Sequence, residues 1–246
     1  MTERKLTYFV ADVHLGLDSY DPAAREARFV KWLRDLPAEQ TRALYLLGDI
    51  WDFWYEYRDV IPSEGIRVVA ELIRLMDAGV RVSFFPGNHD IWSYSFFEKI
   101  GMTRMEQPGE AVIDGGRFLM GHGDALGGAP FGYRLMYAVF HSRFAQKLFS
   151  ALHPSLAFRI GRGWSNSNRN RHGGYHFRGA DEPIYRFSDA YLMSDGARPD
   201  YCIFGHFHEA VNMELPSGAR LVVLKDWIGD SAPHYACWDG AELTVR

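Results

Sequence analysis

Cysteine is scarce in this chain of 246 residues. Its two thiols, Cys202 and Cys237, stand in no C-x-x-C spacing. That excludes a disulfide scaffold and a thiolate metal cage, and leaves two buried, reduced thiols as the expectation. Long apolar runs are missing too: no stretch approaches the roughly 18–20 residues of a membrane-spanning helix. Residues 1–5 are polar and run straight into a strand-like segment, unlike a signal peptide. The expectation is a cytoplasmic protein without a transmembrane segment. There is no G-x-S-x-G, no phosphate-binding G-x-x-x-x-G-K and no G-x-G-x-x-G, so serine-nucleophile and nucleotide-loop chemistries lose their sequence support. The last absence is local. Residues 125–180 contain no Asp or Glu, yet hold Arg134, Arg143, Lys147, Arg159, Arg162, Arg169, Arg171 and Arg178, in a chain whose net charge is -4. A bland solvated face is the alternative, but so long a gap in the acidic residues reads as a segment facing anions or a membrane.

Hydrophobic residues make up 47% and charged residues 24%, an ordinary globular composition. The expected organisation is one domain over 1–246, with a basic, partly helical lid inserted at 125–180. Buried strands are expected at 6–10, 43–47, 80–85 and 199–204, with a strand pair over 111–120 and antiparallel strands in 219–246. Helical patterns cover 22–36, 64–78, 131–152 and 182–194, and the Gly-, Asn- and Arg-rich stretch 162–179 reads as a loop.

Five apolar strands each end in a short polar cluster. Ligand sites of open α/β sheets lie at the carboxyl ends of strands, so the clusters can converge. Asp12 and His14, like His206 and His208, are two residues apart and would share one side of an extended chain. Asp49 has two oxygens and can bridge two cations. Asn88 offers a neutral oxygen, and His122 lies between glycines. Taken singly, each is as well explained by a turn, a cap or a structural histidine. Together, Asp12, His14, Asp49, Asn88, His122, His206 and His208 fill two metal sites of four protein ligands each, Asp49 counting twice. Mixed N and O donors suit Mn, Fe or Zn. Two cations about 4 Å apart acidify water and hold phosphate oxygens as charge builds on the leaving group.

The blocks DVHLG (12–16), GDIWD (48–52), GNHD (87–90), GHGD (121–124) and GHFH (205–208) resemble, in content and order, those of calcineurin-like metallophosphoesterases. The resemblance implies an α/β fold, a four-layer αββα sandwich with the dimetal site at the strand ends. It implies that Asp12, His14 and His208 hold one cation and Asn88, His122 and His206 the other, with Asp49 between them. It also implies that the catalytic pair is His89, beside the scissile phosphate, and Asp90, orienting it, while Asp52 and Asp124 support the ligands.

The substrate is read from 125–180. Leu135, Val139, Phe140, Phe144, Leu148, Phe149 and Leu152 recur at spacings of three and four among basic residues. A helix packed on the core is the usual meaning of such a stripe, but an apolar lid with basic flanks also suits an amphiphile with an anionic head. The sequences HGDALGG..FGYR, LF..LHP, WSNSNRNR and GDIWDFWYEY are similar to the branch of the family that cleaves the diphosphate of UDP-2,3-diacylglucosamine in lipid A biosynthesis. That implies Mn dependence, release of UMP and the acylated sugar 1-phosphate, and peripheral contact with the inner membrane. His89 stands where that branch has arginine. Asn168, Arg169 and Arg171 are expected at a substrate phosphate, and Phe140, Phe144 and Phe149 at the acyl chains. Two alternatives stay open: a phosphoesterase for a soluble diester or nucleotide, and a metal-binding scaffold without turnover. The acidic remainder of the chain speaks against nucleic acid.

Overall fold

The computed structural model describes residues 4–171, 176–229 and 233–246, without the side chains of 166–171. Among these residues a first sheet runs β11-β10-β1-β2-β3-β4 and a second β5-β6-β7-β9-β8. The strands of the first are β1 (Leu6–Val10), β2 (Thr41–Leu46), β3 (Arg81–Phe84), β4 (Thr103–Arg104), β10 (Ala236–Trp238) and β11 (Leu243–Val245). Those of the second are β5 (Gly109–Ile113), β6 (Gly116–Met120), β7 (Tyr201–Phe204), β8 (Val211–Glu214) and β9 (Arg220–Val223). β1 to β4 are parallel, as are β6, β7 and β9. Both sets therefore end on one edge of the sandwich.

Side-chain alternation builds the layers. Tyr8 and Val10 of β1 face outward into a cluster with Phe29 and Leu33 of helix α1 (Pro22–Asp35) and Val68, Leu72 and Leu75 of α2 (Ile66–Asp77). Phe9, between them in sequence, points the other way and packs with Phe118, Met120, Ile203 and Val222 between the sheets. Its ring stacks on Phe118 at 5.5 Å. Full burial of one such side chain stabilises the fold by about 1.5–3 kcal/mol. The outer face of the second sheet, Leu119, Cys202, Phe204 and Leu221, is covered by Ile184 of α7 (Pro183–Ala190). Helix, sheet, sheet and helix are the four layers expected. Both cysteines are free, Cys202 buried and Cys237 partly so.

A short helix, α3 (Phe96–Lys99), precedes β4. Three helices then follow β6: α4 (Phe131–His141), α5 (Arg143–Ser150) and α6 (Pro154–Arg171). The single helical run expected over 131–152 breaks at Ser142, whose backbone is extended and whose hydroxyl caps Ala145 N–H. The loop expected from residue 162 is corrected: α6 continues to Arg171. Its small residues Ala157, Gly161 and Ser165, four apart, form a buried face, and tertiary packing overrides the weak propensity of Gly, Ser and Asn.

Candidate metal centre

The parallel strands deliver the polar clusters to one edge: Asp12 and His14 after β1, Asp49 after β2, Asn88 after β3, His122 after β6, and His206 and His208 after β7. The chain there is not extended, as the two-residue spacings suggested. Asp12, His14, Asp49, His206 and His208 all have positive φ, between 51° and 73°. Tight left-handed turns, not a pleat, aim each pair inward. Such backbone costs on the order of 1–3 kcal/mol per residue and is held only where the surroundings dictate it. Two glycines permit the close approach: a β-carbon on Gly87 would overlap Asp49 Oδ1, and one on Gly205 would overlap Asp12 Oδ2.

Asp49 Oδ2 lies 3.3 Å from His122 Nε2, 3.9 Å from His89 Nε2 and 4.0 Å from His14 Nε2. Asp12 Oδ1 lies 3.7 Å from His14 Nε2 and 3.6 Å from His208 Nε2, and those two nitrogens are 3.3 Å apart. Asn88 Oδ1 faces His122 Nε2 at 3.2 Å and His206 Nδ1 at 3.1 Å. The ligating atoms of Asp12, His14 and His208 all fall within 4.8 Å of one another, as do those of Asp12, Asp49 and His122. The structure thus brings the seven residues together. Asp12 Oδ1 is buried with no hydrogen-bond partner, an arrangement that costs free energy unless a cation satisfies it. The donors fit divalent metal ions.

The imidazoles are held in ligand form. His122 Nδ1 donates to Leu47 O at 3.0 Å, His14 Nδ1 meets Asp52 Oδ1 at 3.2 Å, and His208 Nδ1 meets Asp226 Oδ2 at 3.0 Å. An oxygen acceptor at Nδ1 leaves the Nε2 lone pair facing the centre. Burial by itself would raise the carboxyls of Asp12 and Asp49. The neighbouring imidazoles, His14 beside the first and His122 and His89 beside the second, pull both below the usual range. Burial and the neighbouring His122 push His206 down to about 4, so it stays a neutral imidazole.

His89 is oriented otherwise than expected. Its Nδ1 donates to the backbone carbonyl of Asp52 at 2.8 Å, which turns Nε2 toward Asp49. Asp90 takes a different part: its carboxylate accepts the backbone N–H groups of Asp49, Ile50, Trp51 and Gly87. It ties the loop after β2 to the loop after β3, because its side chain points back under the turn. Asp124 is held by Gln107 at 2.5 Å and by Tyr133 at 3.1 Å.

Phe140 and Phe149 turn inward against Trp92, with ring centroids 5.2 and 4.9 Å from it, whereas Phe144 is 73% exposed. The three therefore do not line one chamber. The side chains of Asn168, Arg169 and Arg171 lie outside the described residues. Sequence reasoning missed Asp226, although it follows β9 as the other clusters follow their strands. It also missed Ser165, whose hydroxyl donates to Asp52 Oδ2 at 2.7 Å, and Trp164, whose ring is 5.7 Å from His89.

Residues 6–210 match the calcineurin-like phosphoesterases, and the chain belongs to that family. It is a metal-dependent phosphoester or diphosphate hydrolase by fold and family. Among curated proteins it is similar to the UDP-2,3-diacylglucosamine hydrolase of Porphyromonas gingivalis, with 32% identity covering 99% of this chain and 97% of that one. The enzyme of the same name from Neisseria meningitidis serogroup B is 32% identical over 93% and 92%. That from Proteus mirabilis is 36% identical over 63% and 62%.

Proposed function

We propose that this chain hydrolyses the diphosphate of UDP-2,3-diacylglucosamine, releasing UMP and 2,3-diacylglucosamine 1-phosphate in lipid A biosynthesis. Asp12, His14 and His208 hold one divalent cation and Asn88, His122 and His206 a second, with Asp49 shared; manganese is the metal proposed. Two such cations, when bound, acidify water and neutralise charge on phosphate oxygens. The carrying observation is Asp49 Oδ2 set among three imidazoles, with the buried Asp12 Oδ1 left unpaired beside two of the ligands.

The chain's own groups supply the rest. His89, with Nδ1 committed to Asp52 O, presents Nε2 at the centre and, in its imidazolium form, serves the leaving oxygen as proton donor or positive partner. Asp90 fixes the Asp49 loop through four backbone bonds, so the shared carboxylate does not reorganise during the reaction.

The substrate reading is supported by the nearly full-length likeness to the Porphyromonas gingivalis and Neisseria meningitidis enzymes and by the helical segment 125–180, proposed as a lid. Phe131, Leu135, Val139, Phe144, Leu148 and Ile160 are exposed there, beside the exposed Arg134, Arg143, Lys147 and Arg159. An apolar row with cations along it receives acyl chains and an anionic head. The same row is proposed to rest on the cytoplasmic face of the inner membrane. No helix among the described residues is long and apolar enough to cross a membrane. The test is mass-spectrometric product analysis after incubating the Mn-loaded protein with UDP-2,3-diacylglucosamine in detergent. UMP with the acylated sugar phosphate is expected; an intact lipid alongside hydrolysis of a generic diester would discard the substrate.

A further inference from the structure

Helix α6 reaches the metal centre through three small residues. Ala157, Gly161 and Ser165 are buried along one face, and a β-carbon on Gly161 would overlap the ring of Phe53. The helix therefore lies hard against the loop that follows Asp49. An ion pair from Arg162 to Glu64 holds the same face, and the ring of Phe158 packs on Phe53 at 5.9 Å. At the far end of this face, Ser165 Oγ donates to Asp52 Oδ2 at 2.7 Å, and Asp52 Oδ1 meets His14 Nδ1 at 3.2 Å. Ser165 and His14 are wholly buried and Asp52 is 2% exposed, so water does not compete for these bonds.

One carboxylate thus has one oxygen on the ligating imidazole and the other on a helix of the inserted segment. Without the hydroxyl, the carboxylate loses a buried bond that fixes its plane, and the acceptor for the Nδ1–H that presents His14 Nε2 is held less firmly. We propose that Ser165 is a positioning residue that couples the seating of α6 to cation occupancy at His14. Binding linkage is reciprocal: if a seated α6 tightens the cation, the cation holds α6 in place by the same factor. A hydroxyl merely satisfied by a nearby carboxylate would affect stability and leave cation affinity alone. The proposal rests on the two-cation reading of the centre and not on the identity of the substrate.

The test uses the full chain with Mn²⁺ as the only probe. Isothermal titration of the wild type counts the sites, and failure to bind two cations would overturn the two-cation reading itself. In Ser165→Ala one of the two sites is expected to weaken by about tenfold, the low end of what partners of metal ligands contribute. Ser165→Thr keeps the hydroxyl and should restore it. Hydrogen exchange supplies the reciprocal readout: Mn²⁺ should slow amide exchange across 158–165 in the wild type by a similar factor, and not in Ser165→Ala. Two sites of wild-type affinity in Ser165→Ala, or exchange in 158–165 indifferent to Mn²⁺ in the wild type, would overturn the coupling. The wild-type measurement needs no variant, so it decides even where Ser165→Ala does not fold.

Discussion

The loops at the strand ends and helices α4 and α5 are built on opposite terms. In the loops, Asp12, His14, Asp49 and His122 are almost wholly buried. Five of the seven proposed ligands are held at positive φ, and a carboxylate with four backbone N–H donors ties two of the loops together. Neither α4 nor α5 buries a single residue completely; Phe140 and Phe149 turn in against Trp92, but Phe131, Leu135, Val139, Phe144 and Leu148 face outward. They are held from below by a few groups: Tyr55 Oη donates to Gln146 O at 2.9 Å, Tyr57 Oη to Leu152 O at 3.2 Å and Trp92 Nε1 to Phe140 O at 2.8 Å. The contrast separates two tasks. Positions that must not move are fixed by strain and burial, and the surface proposed to meet a soft, variable amphiphile is left apolar and uncommitted.

Substitutions at the strand ends should damage all substrates alike, and the size of the effect should track proximity to Asp49. Asp49→Ala removes the group shared by both proposed cations. We expect turnover to fall by about 10⁴-fold on any phosphoester, with metal content by mass spectrometry falling too; retained turnover at full metal content would break the two-cation reading. His89→Ala should keep both metals and lose about 10²–10⁴-fold in kcat. Steady-state rates on metal-verified protein check this, and a near wild-type rate would remove His89 from the chemistry. Asp226→Asn leaves the fold but weakens the acceptor that orients His208, so Mn²⁺ affinity at one site should fall about 10–100-fold by titration. Unchanged affinity there would show that the strand-end turns alone position the ring.

Much of this was legible because metal ligands are chemically distinctive and the strands that carry them are apolar and short. The five blocks marked the site, and alternation along Leu6–Val10 marked the layers. Their geometry was not legible. The two-residue spacing of Asp12 and His14 reads as a pleat, but both residues have positive φ, and the packing of Gly205 and Gly87 against the carboxylates is displayed by no local pattern. Asp90 looked like a partner for the adjacent His89, yet its hydrogen bonds come from the backbone of Gly87, three residues back, and of Asp49, Ile50 and Trp51, some forty positions away. Helix α6 was misread past residue 162 because its Ser, Asn and Gly are poor helix formers singly and good ones when a small-residue face must approach Phe53. Asp226 stands in no motif, and nothing in the WSNSNRNR stretch marks Ser165 as a partner of Asp52. Only the parallel pairing of β9 with β7 and the docking of α6 bring them to His208 and Asp52.

The smallest effect is the most direct test of the division between the two regions. Leu135, Val139, Phe144 and Leu148, all exposed, are replaced together by serine. The ratio of kcat/KM on UDP-2,3-diacylglucosamine to that on a small chromogenic diester is then measured against the wild type. The account predicts a ratio lowered by about tenfold, from roughly 1–2 kcal/mol of lost apolar contact with the acyl chains, and an unchanged rate on the diester. Equal rates on both substrates, before and after the change, would contradict it and leave the helical segment a structural appendage.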